Sequence, residues 1–343
     1  MVGSDAALPL PWLEAPLREG LQRSAHALLL HGPEGVGQFD LALALAQGWL
    51  CEAPPPFPPE RRPCGHCASC RLVQARSHPD LMVLVPEALR ETLGWASGEG
   101  DEGGGERASK AKPSKEIKVE AVRTAVAFAQ TTSARGRGKV VVLHPAERVN
   151  PIASNTLLKT LEEPPGAARF ILSCGAPEAL LPTIRSRCQS LPLGLPARAA
   201  AIEWLSGRGV ADPAVLLAAC GGQPMQALQW SEEGVDARLW RQLPTLIRRG
   251  EATPFAAWPL PRLVEALQKL CHDALCAALG AVPRYFPPDA IDGGGDTAAL
   301  TGWSRELARV ARHAEHPWTP GLMVDALIEQ ARASLTTRAA SRP

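Results

Sequence analysis

The sequence has almost no net charge, because 36 Lys and Arg residues are balanced by 35 Asp and Glu residues, leaving +1. A chain this close to neutral lacks the overall positive charge of a dedicated nucleic-acid-binding protein. It also has no apolar run near the ~18 residues of a membrane-spanning helix. Its first residues, MVGSDAALPLPW, lack the basic start and apolar core of a signal peptide. These absences predict a cytoplasmic protein without a membrane segment.

A disulfide framework is not expected either, because nine cysteines are an odd number and the predicted compartment is reducing. Four of them cluster with the spacing C-x12-C-x2-C-x2-C, namely Cys51, Cys64, Cys67 and Cys70. Four thiolates at this spacing form the closed tetrahedral shell of structural zinc, which leaves no open position for catalysis. We therefore expect one zinc ion per chain. An iron–sulfur cluster is the alternative, and His66 and His78 are alternative ligands, although solvated loop histidines are the commoner case.

The first ~190 residues alternate short aliphatic runs with amphipathic segments, the pattern of a parallel α/β sheet with helices on both faces. Four runs are predicted to be buried strands, at 26–32, 80–87, 139–145 and 169–174. Helices are predicted over 38–50, 119–132 and 151–163. The last of these has Asn150 as its expected cap and Pro151 at its first position. After Leu195 only helical segments follow, including 261–279, 299–314 and 321–335.

A length of 343 residues suits two or three domains. We expect an α/β domain over 1–194, which contains the cysteine module at about 51–72 and a Gly- and charge-rich flexible insertion at about 97–115. A small helical domain is expected over 195–240, and a larger helical domain over 241–343.

The loop after the first predicted strand, GPEGVGQF, has the glycine spacing of a phosphate-binding loop at Gly32 and Gly37, with Gly35 between them. A working loop continues with Lys, which contacts the β- and γ-phosphates, and with Ser or Thr, which ligates Mg²⁺. Gln38 and Phe39 stand in those positions and supply neither function. The loop backbone retains the makings of an anion nest; the other interpretation is a tight strand-to-helix turn.

The strand over 139–145 shows a second loss. In phosphate-loop ATPases a later strand ends in acidic residues that hold Mg²⁺ and orient water. Here the strand ends in His144 and Pro145, and we expect His144 to be a packed histidine. Two independent losses predict that this chain turns over no ATP or Mg²⁺–ATP by itself. The compact basic run ARGRGK, at 134–139, can contact a DNA phosphate, but a solvated loop before a strand is the favoured interpretation.

Together these segments resemble the delta-prime clamp-loader subunits of bacterial DNA polymerase III, a non-catalytic branch of the AAA+ family. The resemblance rests on the degenerate loop after HALLLHG, the cysteine module followed by ARSHPDLMVL, SNTLLKTLEEPP at 154–165, and TIRSRC at 183–188. It spans roughly residues 8–230, and the helical last third is similar to the family's collar. The resemblance implies an AAA+-like domain with a zinc-binding insertion, then a small helical lid and an all-helical collar that forms oligomer contacts. The Gly-rich insertion is not a family feature.

Catalytic clamp-loader subunits share the cysteine module and the two later motifs. The lost Lys, Ser/Thr and acidic residues therefore distinguish the non-catalytic branch. Catalytic subunits usually also carry an arginine in the lid, where GQPMQAL places Met225.

The resemblance implies that Arg187 is an arginine finger that acts in trans on the ATP site of a neighbouring subunit. Arg185, Ser186 and Cys188 are its supporting motif. A guanidinium stays charged and forks onto phosphate oxygens, which suits this role. From the residues alone, a structural arginine paired with a carboxylate is the favoured reading.

The residues Lys159, Glu162 and Glu163 have helical spacing, which by itself only stabilises a surface helix. The resemblance places them at contacts between subunits, with Pro164 and Pro165 ending the helix.

The implied partners are the gamma/tau ATPase and delta subunits and, through the assembly, the sliding clamp and primer-template DNA. The implied function is loading of that clamp onto primed DNA. Two other functions stay open. An active clamp-loader-type ATPase would turn over ATP as the purified chain, and a zinc-dependent nucleic-acid-binding module would bind DNA tightly and with strong salt dependence.

Overall fold

The computed structural model describes residues 1–54, 61–95, 113–291, 295–312 and 320–337. Residues 97–112 of the predicted insertion lie outside these ranges. The chain divides into two compact units, Met1–Ala200 and Ala201–Pro343. The finer division into three domains, with boundaries at 194/195 and 240/241, stays a prediction.

The first unit is built on one parallel sheet. Its strands are β1 (Ala27–His31), β2 (Leu81–Leu84), β3 (Val140–Leu143), β4 (Arg169–Cys174) and β5 (Gln189–Pro192). Their spatial order is β2-β3-β4-β1-β5, and every neighbouring pair is parallel. The predicted parallel α/β sheet and four of its strands are therefore confirmed. The sequence analysis did not predict β5, because QSLP is a polar edge segment in which only Leu191 is buried.

Helices cover the sheet. Those of the first unit are α1 (Glu14–Gln22), α2 (Gln38–Leu50), α3 (Ala68–Gln74), α4 (Glu87–Arg90), α5 (Val119–Gln130), α6 (Pro151–Glu162) and α7 (Pro182–Arg185), and α8 (Arg198–Ser206) leads into the second unit. Single 3-10 turns cover Pro11–Leu13, Ala146–Arg148 and Pro177–Ala179. The three predicted helices are confirmed, and α6 begins as expected: the Asn150 side chain accepts a hydrogen bond from the Ile152 amide, and Pro151 is the first helical residue.

The second unit is helical throughout the part that the structure describes. Its helices are α9 (Pro213–Ala219), α10 (Pro224–Glu232), α11 (Ala237–Arg248), α12 (Leu260–Ala278), α13 (Thr297–Ala311) and α14 (Pro320–Thr336), with 3-10 turns at Thr253–Phe255 and Pro288–Ala290. The long helix α12 packs against α13 and α14. Within the described ranges, no helix is both long enough and apolar enough to cross a membrane.

All five strands run in the same direction, so they all begin on one side of the sheet and all end on the other. We call the side where the strands end the carboxyl edge and the side where they begin the amino edge. At the carboxyl edge, β1, β3 and β4 end at His31, Leu143 and Cys174, and the phosphate-loop-like turn follows β1. At the amino edge, β2 begins shortly after the cysteine module, and β5 begins directly after the TIRSRC motif. The candidate sites divide between these two edges.

Candidate functional site

The four predicted cysteines come together beside the amino edge, and all four sulfur atoms lie within 4.8 Å of one another. The Cys64 and Cys70 sulfurs are 3.9 Å apart, and those of Cys67 and Cys51 are 4.0 Å apart. Tetrahedral zinc with Zn–S bonds of about 2.3 Å separates its sulfurs by about 3.8 Å. The cluster therefore has the size of a cage for one metal ion.

Backbone amides point at these sulfurs. The Cys64 amide donates to Cys51 Sγ at 3.5 Å, and the Cys67 amide donates to Cys64 Sγ at 3.4 Å. The amides of Cys70 and Glu52 both donate to Cys67 Sγ at 3.4 Å. A hydrogen bond from the Cys70 thiol, together with the backbone amides, holds the pKa of Cys51 below its ordinary value. Donors of this kind stabilise the thiolate form, which is the form that ligates a metal.

Neither histidine of the module joins the sulfur cluster among the described residues. His66 is exposed. The Nε2 atom of His78 is 2.5 Å from Ser69 Oγ, and its Nδ1 atom accepts the Asp80 amide at 3.0 Å. His78 thus connects helix α3 of the cysteine module to the start of β2, a bridging role that the sequence analysis missed.

A buried carboxylate extends this connection. Asp80 is fully buried and accepts hydrogen bonds of 2.8–2.9 Å from Ser133 Oγ and from the amides of Ala134 and Arg135. Its Oδ1 atom also pairs with Lys139 Nζ at 3.0 Å. Burial raises the pKa of Asp80, but these hydrogen bonds outweigh it and hold that pKa below its ordinary value.

The basic run at 134–139 is largely engaged in these internal contacts. The Arg135 guanidinium binds both carboxylate oxygens of Glu52, at 2.6 and 2.9 Å. Glu52 directly follows Cys51, one of the four clustered cysteines. The Lys139 side chain is only 8% exposed. The loop therefore holds the cysteine module against the sheet.

The phosphate-loop-like turn lies at the carboxyl edge and is closed by its own side chain. Gln38 Nε2 donates to the carbonyl oxygens of Gly32 and Pro33, at 2.8 and 2.6 Å. A Cβ atom on Gly32 would lie 2.1 Å from the Leu193 carbonyl oxygen, and Gly37 adopts a positive φ of 97°, so both positions require glycine. The Gln38 side-chain amide is thus held against the loop backbone, and it is not directed toward the position where a phosphate would bind.

An aromatic pair occupies the positions where magnesium chemistry would be expected. The Phe39 ring stacks on the His144 ring with a centroid distance of 4.8 Å, and Trp95 packs edge-on against Phe39 at 6.3 Å. His144 Nδ1 is 2.9 Å from Ser173 Oγ. Burial lowers the pKa of His144 to about 4, so this ring is neutral at pH 7. Pro145 follows it and contributes no carboxylate.

Arg187 lies at the amino edge, in the turn between α7 and β5. The turn is held against the hydrophobic core of the sheet, because Ile184 is buried and Cys188 packs against that core. Arg185 and Ser186 are exposed, while the Arg187 side chain keeps 31% of its surface exposed.

The Arg187 guanidinium forms an ion pair with the last residue of α6. Its Nε atom donates to Glu162 Oε1 at 2.7 Å, and Nη2 donates to the same oxygen. Its Nη1 atom donates to the Thr183 carbonyl oxygen at 2.8 Å. From the residues alone, the sequence analysis favoured an arginine paired with a carboxylate, but it did not identify Glu162 as that carboxylate. Lys159 and Glu163 are exposed on the same end of α6, and neither forms an ion pair with another described residue.

The family model for "DNA polymerase III, delta subunit" matches residues 16–196, which is more than half of the chain. The chain is 38% identical over 231 residues to DNA polymerase III subunit delta' of Pseudomonas aeruginosa, covering 66% of this chain and 62% of that protein. It is 32% identical over 274 residues to subunit delta' of Yersinia pestis, covering 78% of this chain and 65% of that protein.

A match of smaller extent is found to DNA polymerase III subunit tau of Salmonella typhimurium, with 33% identity over 168 residues, covering 49% of this chain and 21% of that protein. The chain thus spans a little under two thirds of the length of the delta' relatives. From the family model and these relatives together, the chain belongs to the DNA polymerase III delta subunit family, and several of its relatives are delta' subunits.

Proposed function

We propose that this chain is a non-catalytic subunit of a replicative clamp loader, which places a sliding clamp on primed DNA in the cytoplasm. The observation that carries this proposal is the stacked pair of Phe39 and His144 at the carboxyl edge. An apolar ring and a neutral imidazole stand where an ATPase needs a hydroxyl and a carboxylate for Mg²⁺. In this proposal ATP is bound by a neighbouring subunit and not by this chain.

The positive contribution of the chain in this proposal is Arg187. A guanidinium that is always charged, anchored on a buried turn and still partly exposed has the properties of an arginine finger acting in trans. Arg185 and Ser186 would support the anion or the backbone of the turn, and Cys188 would anchor it. Lys159, Glu162 and Glu163 would lie at the contact with the neighbouring subunit.

The remaining parts of the proposal concern assembly. The four cysteines would hold one structural zinc ion, because their sulfurs have the spacing of a single tetrahedral cage and accept backbone hydrogen bonds. Residues 195–240 would form a lid domain of an AAA+-like fold, and residues 241–343 a collar. The proposed partners are the gamma/tau and delta subunits and, through them, the clamp and primer-template DNA.

The test is ATP turnover by the reconstituted clamp loader in the presence of clamp and primed DNA, with the isolated chain as a blank. We expect the blank to be silent and Arg187→Ala to slow the assembly by roughly tenfold or more, below the 10³–10⁵ of the strongest trans fingers because other steps limit turnover. Arg187→Lys should also be slow, because an ammonium cannot bind phosphate in a bidentate manner. The exposed Arg123 on α5 provides a matched control, Arg123→Ala, which should keep the wild-type rate.

Three outcomes would contradict the proposal. ATP turnover by the isolated chain would indicate an active ATPase. Tight and strongly salt-dependent DNA binding by the isolated chain would indicate a nucleic-acid-binding module. A wild-type rate for an intact assembly carrying Arg187→Ala would reduce Arg187 to a structural arginine.

A further inference from the structure

The carboxylate of Glu162 holds the side edge of the Arg187 guanidinium. Both Nε and Nη2 of that group donate to Glu162 Oε1, and Nη1 donates to the Thr183 carbonyl oxygen. The planar group is thus held by two different elements, the end of α6 and the helix α7. From this geometry we infer that Glu162 is a positioning residue, which sets the direction in which Arg187 presents its remaining N–H group. The inference rests on the proposed role of Arg187 as a finger.

The location of Glu162 supports a role beyond helix stability. It is the last residue of α6, where the helix dipole disfavours a negative charge. Leu161 next to it is buried, which fixes the end of the helix against the sheet core. A residue that breaks a local rule at a well-anchored position is a typical sign of a functional constraint.

The pair is suited to orient Arg187 without sequestering it. The side chains of Arg187 and Glu162 are 31% and 47% exposed, so solvent screens their attraction. A guanidinium has five N–H groups. The contacts to Glu162, to the Thr183 carbonyl oxygen and, at 3.4 Å, to Ser186 Oγ engage four of them and leave one N–H of Nη2 for another acceptor. An incoming phosphate therefore meets an arginine whose long and flexible side chain has already been confined to one direction.

This arrangement predicts an effect on rate and not on ATP affinity. In the proposed function the neighbouring subunit makes most of the contacts to the nucleotide, so we expect the KM for ATP to change little when Arg187 is misdirected. The maximal rate does depend on the direction of Arg187, because a misdirected guanidinium stabilises the transition state less well.

The experiment is a double-mutant cycle in the reconstituted clamp loader, with kcat and the KM for ATP measured separately. We expect Glu162→Ala to lower kcat by roughly three- to tenfold and to leave KM within about twofold, a smaller loss than the ~100-fold that a misplacement of 1 Å can cost. Glu162→Gln keeps an oxygen that accepts the same N–H groups and should recover most of the rate. Glu162→Ala combined with Arg187→Ala should be no slower than Arg187→Ala alone.

The exposed Glu120 on α5 provides the matched control, because Glu120→Ala removes the same charge from the same unit. A Glu162→Ala rate equal to that of this control, with Arg187→Ala slow, overturns the positioning role and leaves the finger intact. Multiplied losses in the double variant also overturn it, because Glu162 would then act independently of Arg187. A wild-type rate for Arg187→Ala contradicts the finger itself and with it this inference. Size-exclusion chromatography of each assembly and the Tm of each free chain, with Glu162→Gln as the conservative variant, exclude misfolding as the cause of a lost rate.

Discussion

The carboxyl and amino edges of the parallel sheet differ in the polar and charged groups that they keep. At the carboxyl edge, polar groups are turned inward or replaced: Gln38 binds its own loop, and Phe39 stacks on a neutral His144. At the amino edge, charges are kept: Asp80 and Lys139 are paired in the interior, and Arg187 remains partly exposed beside Glu162. Under the proposed function, a sheet whose own nucleotide site lacks its catalytic groups still keeps an arginine for the site of another subunit.

The largest expected effect concerns the cysteine cluster that supports the amino edge. Cys67→Ser should reduce bound zinc from one ion per chain to nearly none, because a closed shell tolerates no missing thiolate. Structural zinc supplies about 10–16 kcal/mol of apparent binding free energy in small modules. We therefore expect the free energy of unfolding to fall by about 5 kcal/mol or more, measured by denaturant titration.

Elemental analysis of the same preparations decides the assignment. His66→Ala, which removes an exposed histidine that lies outside the sulfur cluster, is the control and should retain zinc. Wild-type protein purified without chelator and free of zinc would contradict the prediction.

A smaller effect is expected for the buried charge pair. Asp80→Ala leaves Lys139 buried without its carboxylate and leaves Ser133 Oγ and two backbone amides without an acceptor. Removing one partner of a buried pair typically costs about 3–5 kcal/mol of stability. The exposed Asp289 offers a control, Asp289→Ala, expected to stay within about 0.5 kcal/mol of the wild type. Equal stabilities of the two variants by urea unfolding would show that the amino edge does not depend on this pair.

The smallest expected effect probes the carboxyl edge through pH. Burial lowers the pKa of His144 to about 4, whereas a histidine in an unfolded chain titrates near ~6.5. Below pH ~6.5 the unfolded chain therefore binds a proton that the folded chain does not bind, and stability falls as the pH drops toward ~4. Both states are neutral at this residue above pH ~7, so the effect vanishes there.

His144→Gln should remove about 2–3 kcal/mol of this pH dependence. The measurement is the difference between wild-type and variant free energies of unfolding at pH 7.0 and pH 4.5. A difference that does not change with pH would mean that burial does not hold the imidazole neutral, and the contrast between the two edges would weaken.

Much of this architecture could be predicted from the sequence. Fully buried parallel strands have continuous aliphatic runs, so β1 to β4 could be recognised, whereas the polar edge strand β5 could not. The spacing of the four cysteines predicted their convergence, because Cys64, Cys67 and Cys70 are separated by only two residues each and a local turn brings such ligands together. Asn150 and Pro151 identified the start of α6 because caps are local signals.

The contacts that organise the sites could not be predicted in the same way. Arg187 and Glu162 are 25 residues apart in the chain, and Asp80 lies 53 to 55 residues from the donors at 133–135. Such pairs are set by the order of strands in the sheet, which brings distant loops to one edge, and not by any local pattern. The stacking of Phe39 on His144 is of the same kind, since it joins the start of α2 to the residue that follows β3.

The closed loop of Gln38 also constrains how this chain can evolve. Gln38→Lys would deprive the Gly32 and Pro33 carbonyl oxygens of the donor they now share. Replacing Phe39 by a hydroxyl residue would leave the half-buried His144 ring without its stacking partner. Each of these single substitutions toward a nucleotide-binding sequence is thus expected to lower the stability of the fold before it restores any activity. Under the proposed function, stability alone would therefore keep this chain dependent on the ATP site of another subunit.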